Sequence, residues 1–315
     1  KTGCTIVANC ARAVSVYGAE RSSRRMAMSC PVVTISRTHM RTEILWKSRC
    51  ANSSRMTKHS RSVKLPSAKP LKSVKNVGNE QLPMTNYQLQ IKSFVFGPFE
   101  TNCYVVTIND QSPMTNDQSP MVLLIDPACA YESEQQQLLT YIENQKSPIT
   151  NHQLPITIVA THGHLDHLWG AAWACAKWNT PVLMHEADIP MAKAMQQQYD
   201  LFGIRAKAQP FPIEDIKSKI KNQKSQISNF QLLETPGHTP GSICLYFHND
   251  QLSTIITGDT LFKMGYGRTD LPGGNYSQLM NSLDLLLALP PETGVYPGHG
   301  EPTTIAAEAR WCSAP

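Results

Sequence analysis

The segment Thr161-His162-Gly163-His164-Leu165-Asp166-His167 follows a short apolar run and precedes a helical pattern. It brings three histidines and one carboxylate within six residues, and both side-chain types are ligands that borderline divalent metals accept. On an extended loop, His162 and His164 can point the same way. Asp166 and His167 fall on the first helical turn and can point to a second position. The segment therefore predicts a metal site at the end of a strand.

Three further residues of ligand type lie downstream, each directly after a candidate strand. Their motifs are Pro236-Gly237-His238, Gly258-Asp259 and Pro297-Gly298-His299. Because strands hold their ends rigidly, side chains that follow several strands can share one rim. We expect these three residues to complete the metal site.

Short apolar runs that end at Gly, Pro, Asn or Asp predict strands, and runs with helical spacing predict helices. The candidate strands are Ser93–Phe96, Cys103–Thr107, Met121–Ile125, Ile156–Ala160, Pro181–Met184, Phe230–Leu233, Ile243–Phe247, Ser253–Ile256 and Gly294–Tyr296. The candidate helices are Ser133–Glu143, Leu168–Trp178, Ala187–Leu201 and Ser277–Leu289, the last with Ser277 as its cap. This mixture predicts an α+β fold in which two sheets pack together with helices outside.

The order His-x-His-x-Asp-His, a distant His, Gly-Asp and Pro-Gly-His-Gly resembles the metallo-β-lactamase superfamily over residues 89–305. The segments Phe99-Glu100-Thr101-Asn102-Cys103-Tyr104 and Leu124-Ile125-Asp126-Pro127 resemble the first strands of that family. The motifs are most similar to the glyoxalase II-like branch, the hydroxyacylglutathione hydrolases. The resemblance implies the four-layer αββα sandwich of the metallo-β-lactamase type.

The resemblance also implies two divalent metal ions, with zinc as the first expectation and iron or manganese as alternatives. The first ion would be held by His162, His164 and His238, and the second by Asp166, His167 and His299. Asp259 would bridge the two ions, and Asp166 and Asp259 are the predicted catalytic residues. Asp126 is expected to orient a ligand from beside the metal loop.

The function implied by the resemblance is hydrolysis of a thioester, similar to a hydroxyacylglutathione, by a hydroxide that bridges the two metals. A thiolate would leave without a strong general acid. Asp259 argues against an antibiotic-hydrolysing lactamase, because such relatives usually lack a bridging carboxylate there. Beyond residue 80 the chain has 13 Lys and Arg against 21 Asp and Glu. That balance argues against a nuclease, since it would repel a phosphate backbone.

Two other functions stay open. Persulfide dioxygenases of the same fold hold a single iron through residues that match His162, His238 and Asp259, and their ligand motif can look the same. A non-catalytic or damaged family member would explain the inserted repeats and the unusual N-terminal segment. The presence of all seven candidate ligands argues against that last interpretation.

Arg268 is the predicted substrate-binding residue. In the glyoxalase II-like branch, a basic residue at the matching position contacts the glutathione part of the substrate, and an arginine can bind a carboxylate through two hydrogen bonds. A salt bridge to Asp270 is the alternative, and Asp270 stands where that branch has a tyrosine. Only 16 residues follow His299, whereas glyoxalase II adds a helical domain. We therefore expect a smaller or different thioester.

The N-terminal part of the chain has a different composition. Residues 1–80 contain 16 Lys and Arg against 3 Asp and Glu. We predict a basic, disordered extension over 1–88, transit-like or non-native, before a metallo-hydrolase domain over 89–315. The repeat that begins at Pro83-Met84-Thr85-Asn86 recurs at residues 113 and 148, with a degenerate copy at 226. It predicts low-complexity loop insertions near 109–120, 145–155 and 217–230.

Cysteine usage and hydropathy limit the expected location and partners. The nine cysteines form no Cys-x-x-Cys pair, which predicts reduced thiols and a cytoplasmic protein, or an organellar one if residues 1–80 are a transit peptide. No run approaches the roughly 20 apolar residues that span a bilayer. We expect a small-molecule thioester as partner, and neither a nucleic acid nor a membrane. The sequence does not predict the oligomeric state.

Overall fold

A computed structural model describes residues 87–110, 120–145, 155–222, 230–249 and 251–312. The chain divides between Arg61 and Ser62, and all the described residues belong to the second unit, Ser62–Pro315. The predicted N-terminal extension lies outside the described residues up to residue 86. The repeat copies at 113 and 148, and most of the copy at 226, also lie outside them.

The first sheet is built from the N-terminal part of the described residues. Its strands, in spatial order, are β1 (Tyr87–Phe96), β2 (Thr101–Asp110), β3 (Met121–Ile125), β4 (Ile156–Val159), β5 (Val182–Met184) and β6 (Ile213–Asp215). The pairs β1–β2 and β2–β3 are antiparallel, and the pairs from β3 to β6 are parallel. The carboxyl ends of β3, β4 and β5 therefore reach the same edge of the sheet.

The second sheet is built from the C-terminal part. Its strands are β7 (Gln231–Glu234), β8 (Ile243–His248), β9 (Ser253–Gly258), β12 (Gly294–Pro297) and β13 (Thr303–Thr304), in the spatial order β13-β12-β9-β8-β7. The strands β10 (Leu261–Phe262) and β11 (Gly265–Tyr266) form a separate hairpin. Strands β9 and β12 are parallel, so their carboxyl ends also lie together.

The helices connect the strands and cover the outer faces of the sheets. They are α1 (Glu132–Glu143), α2 (Leu165–Leu168), α3 (Ala171–Trp178), α4 (Ile189–Lys193), α5 (Met195–Leu201), α6 (Ile216–Asn222), α7 (Tyr276–Leu287) and α8 (Ile305–Cys312). A short 3-10 turn, Glu186–Asp188, precedes α4.

Three apolar cores separate four layers. The central core lies between the two sheets and includes Leu123 and Ile125 of β3 against Leu245 and Phe247 of β8. A second core packs the first sheet against its helices, and a third packs β8, β9 and β12 against α7 and α8. Burial of these apolar faces stabilises the fold. The predicted α+β, four-layer αββα sandwich is confirmed.

The two sheets are joined by hydrogen bonds at the edge where the predicted ligands emerge. The backbone N–H of Ile243 donates to the carbonyl of Thr161 (2.9 Å), and that of Asn102 donates to Gly298 (2.7 Å). The Tyr104 hydroxyl donates to the buried carbonyl of Pro297 (2.6 Å). These contacts fix the ligand-bearing segments of one sheet against those of the other.

Several boundaries differ from the sequence predictions. The predicted helix Ala187–Leu201 is three short pieces, with breaks before Ile189 and at Ala194. Pro190, which has no backbone N–H, lies in the first turn of the second piece, where a helix can begin but not continue through, and so accounts for the first break. Helix α7 is capped by Asn275, whose side chain accepts from the N–H of Gln278 (3.0 Å), so the prediction of Ser277 as cap was wrong. Helix α6 occupies the start of the insertion predicted at 217–230.

Candidate metal centre

The structure brings the seven predicted ligand side chains into one cluster at the shared edge of the two sheets. Ligand atoms lie within 4.8 Å of one another in three groups: His162, His164 and His238; Asp166, His167 and His299; and His162, His167 and Asp259. The first two groups are the ligand sets predicted for the first and second ion. We call them the first group and the second group. The third group links them.

In the first group, hydrogen bonds orient the imidazole rings. Thr161 Oγ1 donates to Asp126 Oδ2 (2.8 Å), so it accepts from His162 Nδ1 (3.0 Å) and leaves His162 Nε2 with a lone pair. His238 Nδ1 donates to the carbonyl of Arg268 (2.7 Å), which leaves His238 Nε2 facing His164 Nδ1 at 2.9 Å. A neutral imidazole held by one nitrogen offers the other to a metal.

In the second group, Asp126 and Thr101 hold two of the three side chains. Asp126 Oδ2 lies 2.9 Å from His167 Nδ1, and both residues are fully buried. Because a carboxylate only accepts, His167 carries its proton on Nδ1 and turns Nε2 into the site. Thr101 Oγ1 donates to Asp166 Oδ2 (3.0 Å), and the same oxygen lies 3.2 Å from His299 Nε2. Asp126, which was predicted to orient a ligand, thus contacts the candidate ligand His167 directly.

Asp259 lies between the two groups. Its Oδ2 is 3.5 Å from His238 Nε2 of the first group and 3.5 Å from His299 Nε2 of the second. Its Oδ1 is 3.3 Å from His167 Nε2. One carboxylate therefore faces both groups, which is the geometry needed to bridge two cations.

The donor atoms at the centre fit divalent cations. Among the described residues, His162 Nε2, His167 Nε2 and Asp259 Oδ1 are buried ligand atoms without a hydrogen-bond partner. Burying such atoms without partners is costly, and a cation that accepts their lone pairs removes that cost. Gly298 keeps the centre open, because a Cβ there would lie 2.2 Å from Asp259 Oδ1.

The pKa values of the histidines differ between the two groups. Burial and neighbouring histidines lower the pKa of His162 well below its usual value, and that of His164 to about 4. Burial also lowers the pKa of His167, but the carboxylates of Asp166 and Asp259 outweigh it and raise the pKa well above the usual value. The same carboxylates raise the pKa of His299.

The two carboxylates respond in the opposite direction. Burial alone would raise the pKa values of Asp166 and Asp259, but the cationic forms of His167 and His299 outweigh it and hold both pKa values below the usual range. Oppositely charged side chains therefore face one another around the second group, whereas burial and neighbouring histidines keep His162 and His164 of the first group neutral.

A family model of the metallo-beta-lactamase superfamily matches residues 96–299, which is more than half of the chain. The chain belongs to this superfamily. It is 33% identical over 219 residues to the probable metallo-hydrolase YqgX of Bacillus subtilis (strain 168), covering 67% of this chain and 90% of that protein. An uncharacterized protein of Aquifex aeolicus (strain VF5) is 32% identical over 221 residues, 69% of this chain and 93% of the relative.

Two solved structures resemble this member of the superfamily. TTHA1623, crystallised in a di-iron-bound form, is 31% identical with a TM-score of 0.54, covering 70% of this chain and 97% of that one. The BLEG-1 B3 metallo-beta-lactamase is 28% identical with a TM-score of 0.53, again covering 70% of this chain and 97% of that one. These similarities support a metal-dependent hydrolase of the metallo-β-lactamase fold.

Arg268 makes contacts beside the metal centre through both its backbone and its side chain. Its carbonyl accepts the hydrogen bond from His238, as described above. Its guanidinium forms two hydrogen bonds with Asp270, from Nε to Oδ1 (2.6 Å) and from the terminal nitrogen to Oδ2 (2.6 Å). The salt bridge weighed as the alternative to substrate binding is therefore formed, and substrate recognition by Arg268 stays a prediction.

Sequence reasoning did not single out four residues whose side chains hydrogen-bond to the candidate ligands or to the loops that carry them: Thr101, Thr161, Asp188 and Gln198. Thr161 was quoted only as part of the ligand motif, although it orients His162. Asp188 and Gln198 come from the segment predicted as one continuous helix, and no spacing relates them to the ligands. A carboxylate just after a strand that neighbours β4 was the available signal for Asp188.

Proposed function

We propose that this chain is a binuclear metal-dependent hydrolase that cleaves a thioester, in the manner of the glyoxalase II-like branch. The position of Asp259, within 3.5 Å of histidines of both groups, is the single observation that carries the proposal. A carboxylate shared by two ligand sets is what a binuclear site needs, and the metal content measured below distinguishes it from the single-iron site of a persulfide dioxygenase. Asp166, paired with His299, supplies the second anionic ligand.

The residues of the centre have separate tasks in this proposal. The first group would hold one cation through three imidazoles, and the second group would hold the other with the help of a carboxylate. Two cations in these positions would supply a water of lowered pKa and polarise the substrate carbonyl. Asp259 would keep the two ligand groups at a fixed separation, and Asp126 would keep His167 turned inward.

A thioester is the substrate class that suits these groups best. The titratable side chains at the centre are themselves candidate ligands, so none of them is left to protonate a poor leaving group. A thiolate leaves without a strong general acid, whereas an amine or an alkoxide needs one.

We also propose a reducing, cytoplasmic compartment. The four described cysteines are free and buried, which supports this location.

Zinc and iron are both suited to the donor set, because imidazole and carboxylate are ligands for either metal. Zinc is the first expectation, and the di-iron form of TTHA1623 makes iron the first alternative. The test therefore uses two preparations of the full chain, one reconstituted with zinc and one anaerobically with ferrous iron. Metal content is measured for each before any assay.

The test compares three reactions on each preparation. Hydrolysis of S-lactoylglutathione is followed beside hydrolysis of a β-lactam and oxygen uptake with glutathione persulfide. The β-lactam is included because BLEG-1 is named a B3 metallo-beta-lactamase. About two metals per chain and preferential thioester hydrolysis are expected. One iron per chain with oxygen uptake would replace the proposal by a persulfide dioxygenase, and preferential β-lactam hydrolysis would replace it by a lactamase.

A control separates catalysis from contamination and from a damaged family member. His299→Ala removes a candidate ligand of the second group, so it should lose the thioesterase activity of the parent preparation. Metal binding in the parent with no activity on any of the three substrates would contradict the thioesterase proposal. The absence of metal binding would contradict the metal centre itself.

A further inference from the structure

Asp188 is a buried carboxylate that the proposed chemistry does not use. It ends the 3-10 turn after β5 and has no exposed surface. Its Oδ2 accepts from the backbone N–H of Gly163 (2.8 Å) and from Thr239 Oγ1 (2.6 Å), and its Oδ1 accepts from the N–H of Gly241 (2.7 Å). The carboxylate thus connects two loops that are far apart in sequence.

Both loops carry ligands of the first group. Gly163 lies between His162 and His164, and Thr239 directly follows His238. The three side chains of the first group are thereby anchored to one carboxylate, although none of them touches it. No residue of the second group stands next to Gly163, Thr239 or Gly241 in the sequence, because Asp166 and His167 lie at the start of α2 and His299 lies in the loop after β12.

The packing around Asp188 is shaped to admit the carboxylate. A Cβ at Gly241 would lie 2.7 Å from Asp188 Cγ and Oδ1, and a Cβ at Gly163 would lie 3.0 Å from the Asp188 carbonyl. Both ligand loops therefore approach Asp188 at glycine, where no side chain intervenes. Because a carboxylate only accepts, the Thr239 hydroxyl donates to Asp188 and accepts in turn from Ser242 Oγ at 2.7 Å.

The three donors to Asp188 are neutral groups, so hydrogen bonds alone hold a buried anion. Buried charges are expensive, and an apolar contact of similar volume would hold two loops together with less cost in desolvation. A carboxylate offers what an apolar contact cannot, namely three directional bonds that fix the distance between the loops.

Gln198 of α5 forms hydrogen bonds with the loop that carries His162 and His164. Its Nε2 donates to the carbonyl of Gly163 (3.0 Å), and its Oε1 accepts from the N–H of Leu165 (2.9 Å). Asp188 holds the N–H of Gly163, so the backbone on both sides of His164 is fixed by side chains from the segment 186–201. A second side chain thus supports the same loop.

We propose that Asp188 is a positioning residue for the first metal, because it holds the loop of His162 and His164 against the loop of His238. The inference rests on the proposed binuclear centre. Residues that support ligands from outside typically contribute about 10- to 100-fold to metal affinity. Asp188 is assigned that contribution at the first metal alone.

The experiment measures zinc affinity at each site separately, by competition with a chelating indicator and without substrate. In a His299→Ala background the remaining metal is held by the first group, and in a His164→Ala background it is held by the second. Asp188→Asn should weaken zinc binding about 10- to 100-fold in the first background and leave it within about threefold in the second. Circular dichroism checks that each variant is folded.

Asp215→Asn is the matched control. Asp215 also accepts three hydrogen bonds, from the N–H of Lys217 and from the N–H and hydroxyl of Ser218, but it serves the start of α6. Its substitution should change zinc affinity in neither background. Should Asp188→Asn fail to fold, Thr239→Val removes one of the three bonds and should weaken the first site, while Thr239→Ser should restore it.

Two results would overturn the inference: equal loss of zinc affinity in both backgrounds, or unchanged affinity in the first. Because the measurement needs no substrate, its outcome is independent of the thioesterase assay. A failure of the proposed reaction would leave the Asp188 result standing, and a failure of the Asp188 result would leave the proposed reaction standing.

Discussion

Two buried carboxylates, Asp126 and Asp188, support the metal centre in different ways. Both have no exposed surface, and each accepts three hydrogen bonds. Asp126 contacts the candidate ligand His167 directly, whereas Asp188 contacts only the loops on either side of the first group. Direct contact fixes the orientation of one ring, and contact through loops fixes the distance between ligands.

The two groups of ligands also differ in how their side chains are held together. In the second group, the carboxylate of Asp166, together with that of Asp259, raises the pKa values of His167 and His299, so opposite charges hold these side chains together. In the first group, His162 and His164 have lowered pKa values, so no opposite charges hold these two rings together. The first group therefore depends more on its surroundings to stay assembled. Asp259 lies between the two groups, so its removal should weaken metal binding at both.

Asp259→Ala is the variant with the largest expected effect. It removes the carboxylate whose oxygens lie 3.3 Å from His167 Nε2 of the second group and 3.5 Å from His238 Nε2 of the first. Both zinc affinities should fall, and thioesterase activity should fall by more than the roughly 100-fold typical of residues that only support ligands. Metal analysis and kcat measurements check this. Retention of either metal at full affinity would contradict the bridging position of Asp259.

The difference between Asp126 and Asp188 also explains what could be predicted from the sequence. Asp126 follows a clear apolar run and ends β3, so its place beside the metal loop was predictable. Its left-handed backbone (φ 53°) turns it toward Thr161 and was not predictable. Asp188 ends the first of three short helical pieces that had been predicted as one helix, and its partners Thr239 and Gly241 are about 50 residues away.

The candidate ligands themselves were the easiest part, because each follows a strand and belongs to a short motif. The fold was predictable for a related reason, since apolar runs specify the strands and the central core. The loops around the site were harder. Their conformation depends on single hydrogen bonds to distant side chains, and local propensity carries no information on such partners. The sequence analysis missed the hairpin β10–β11 and strand β13, because each strand has only two residues and so contains no apolar run.

Asp126→Asn should weaken zinc binding mainly at the second group, whereas Asp188→Asn should weaken it at the first. The amide keeps the shape of the side chain but replaces one acceptor oxygen by a donor, which opposes the N–H of Thr161 or the Nδ1–H of His167. We expect zinc affinity of the second group to fall about 10- to 100-fold, with a smaller loss at the first group. The His164→Ala and His299→Ala backgrounds allow each affinity to be measured. A larger loss at the first group would reverse the comparison.

The pH dependence of metal binding should differ between the groups. His167 and His299 have raised pKa values and hold protons near neutral pH, so a metal at the second group must displace them. Zinc affinity there should rise with pH, about tenfold per unit for each proton displaced. His164, with a pKa of about 4, is already neutral at pH 5.5 and imposes no such dependence on the first group.

Titrations with zinc between pH 5.5 and 8 measure this difference, and a pH indicator dye reports the protons released. At the lower end of this range the second metal should be lost while the first is retained. Equal slopes for the two groups, or a steeper slope for the first, would show that the carboxylates of the second group do not raise the pKa values of its histidines.

The smallest expected effect concerns Arg268, whose carbonyl holds His238 of the first group while its guanidinium is paired with Asp270. Asp270→Asn removes the negative charge and lets the guanidinium bind a carboxylate of the substrate. Exposed ion pairs contribute at most about 1 kcal/mol, so the KM for S-lactoylglutathione should fall by less than about fivefold. The KM for an uncharged thioester should not change. Glu214→Gln, which breaks the exposed pair with Lys219, is the control and should leave both KM values unchanged. An unchanged KM for the glutathione thioester in Asp270→Asn would place Arg268 outside the substrate site and limit its role to the first metal.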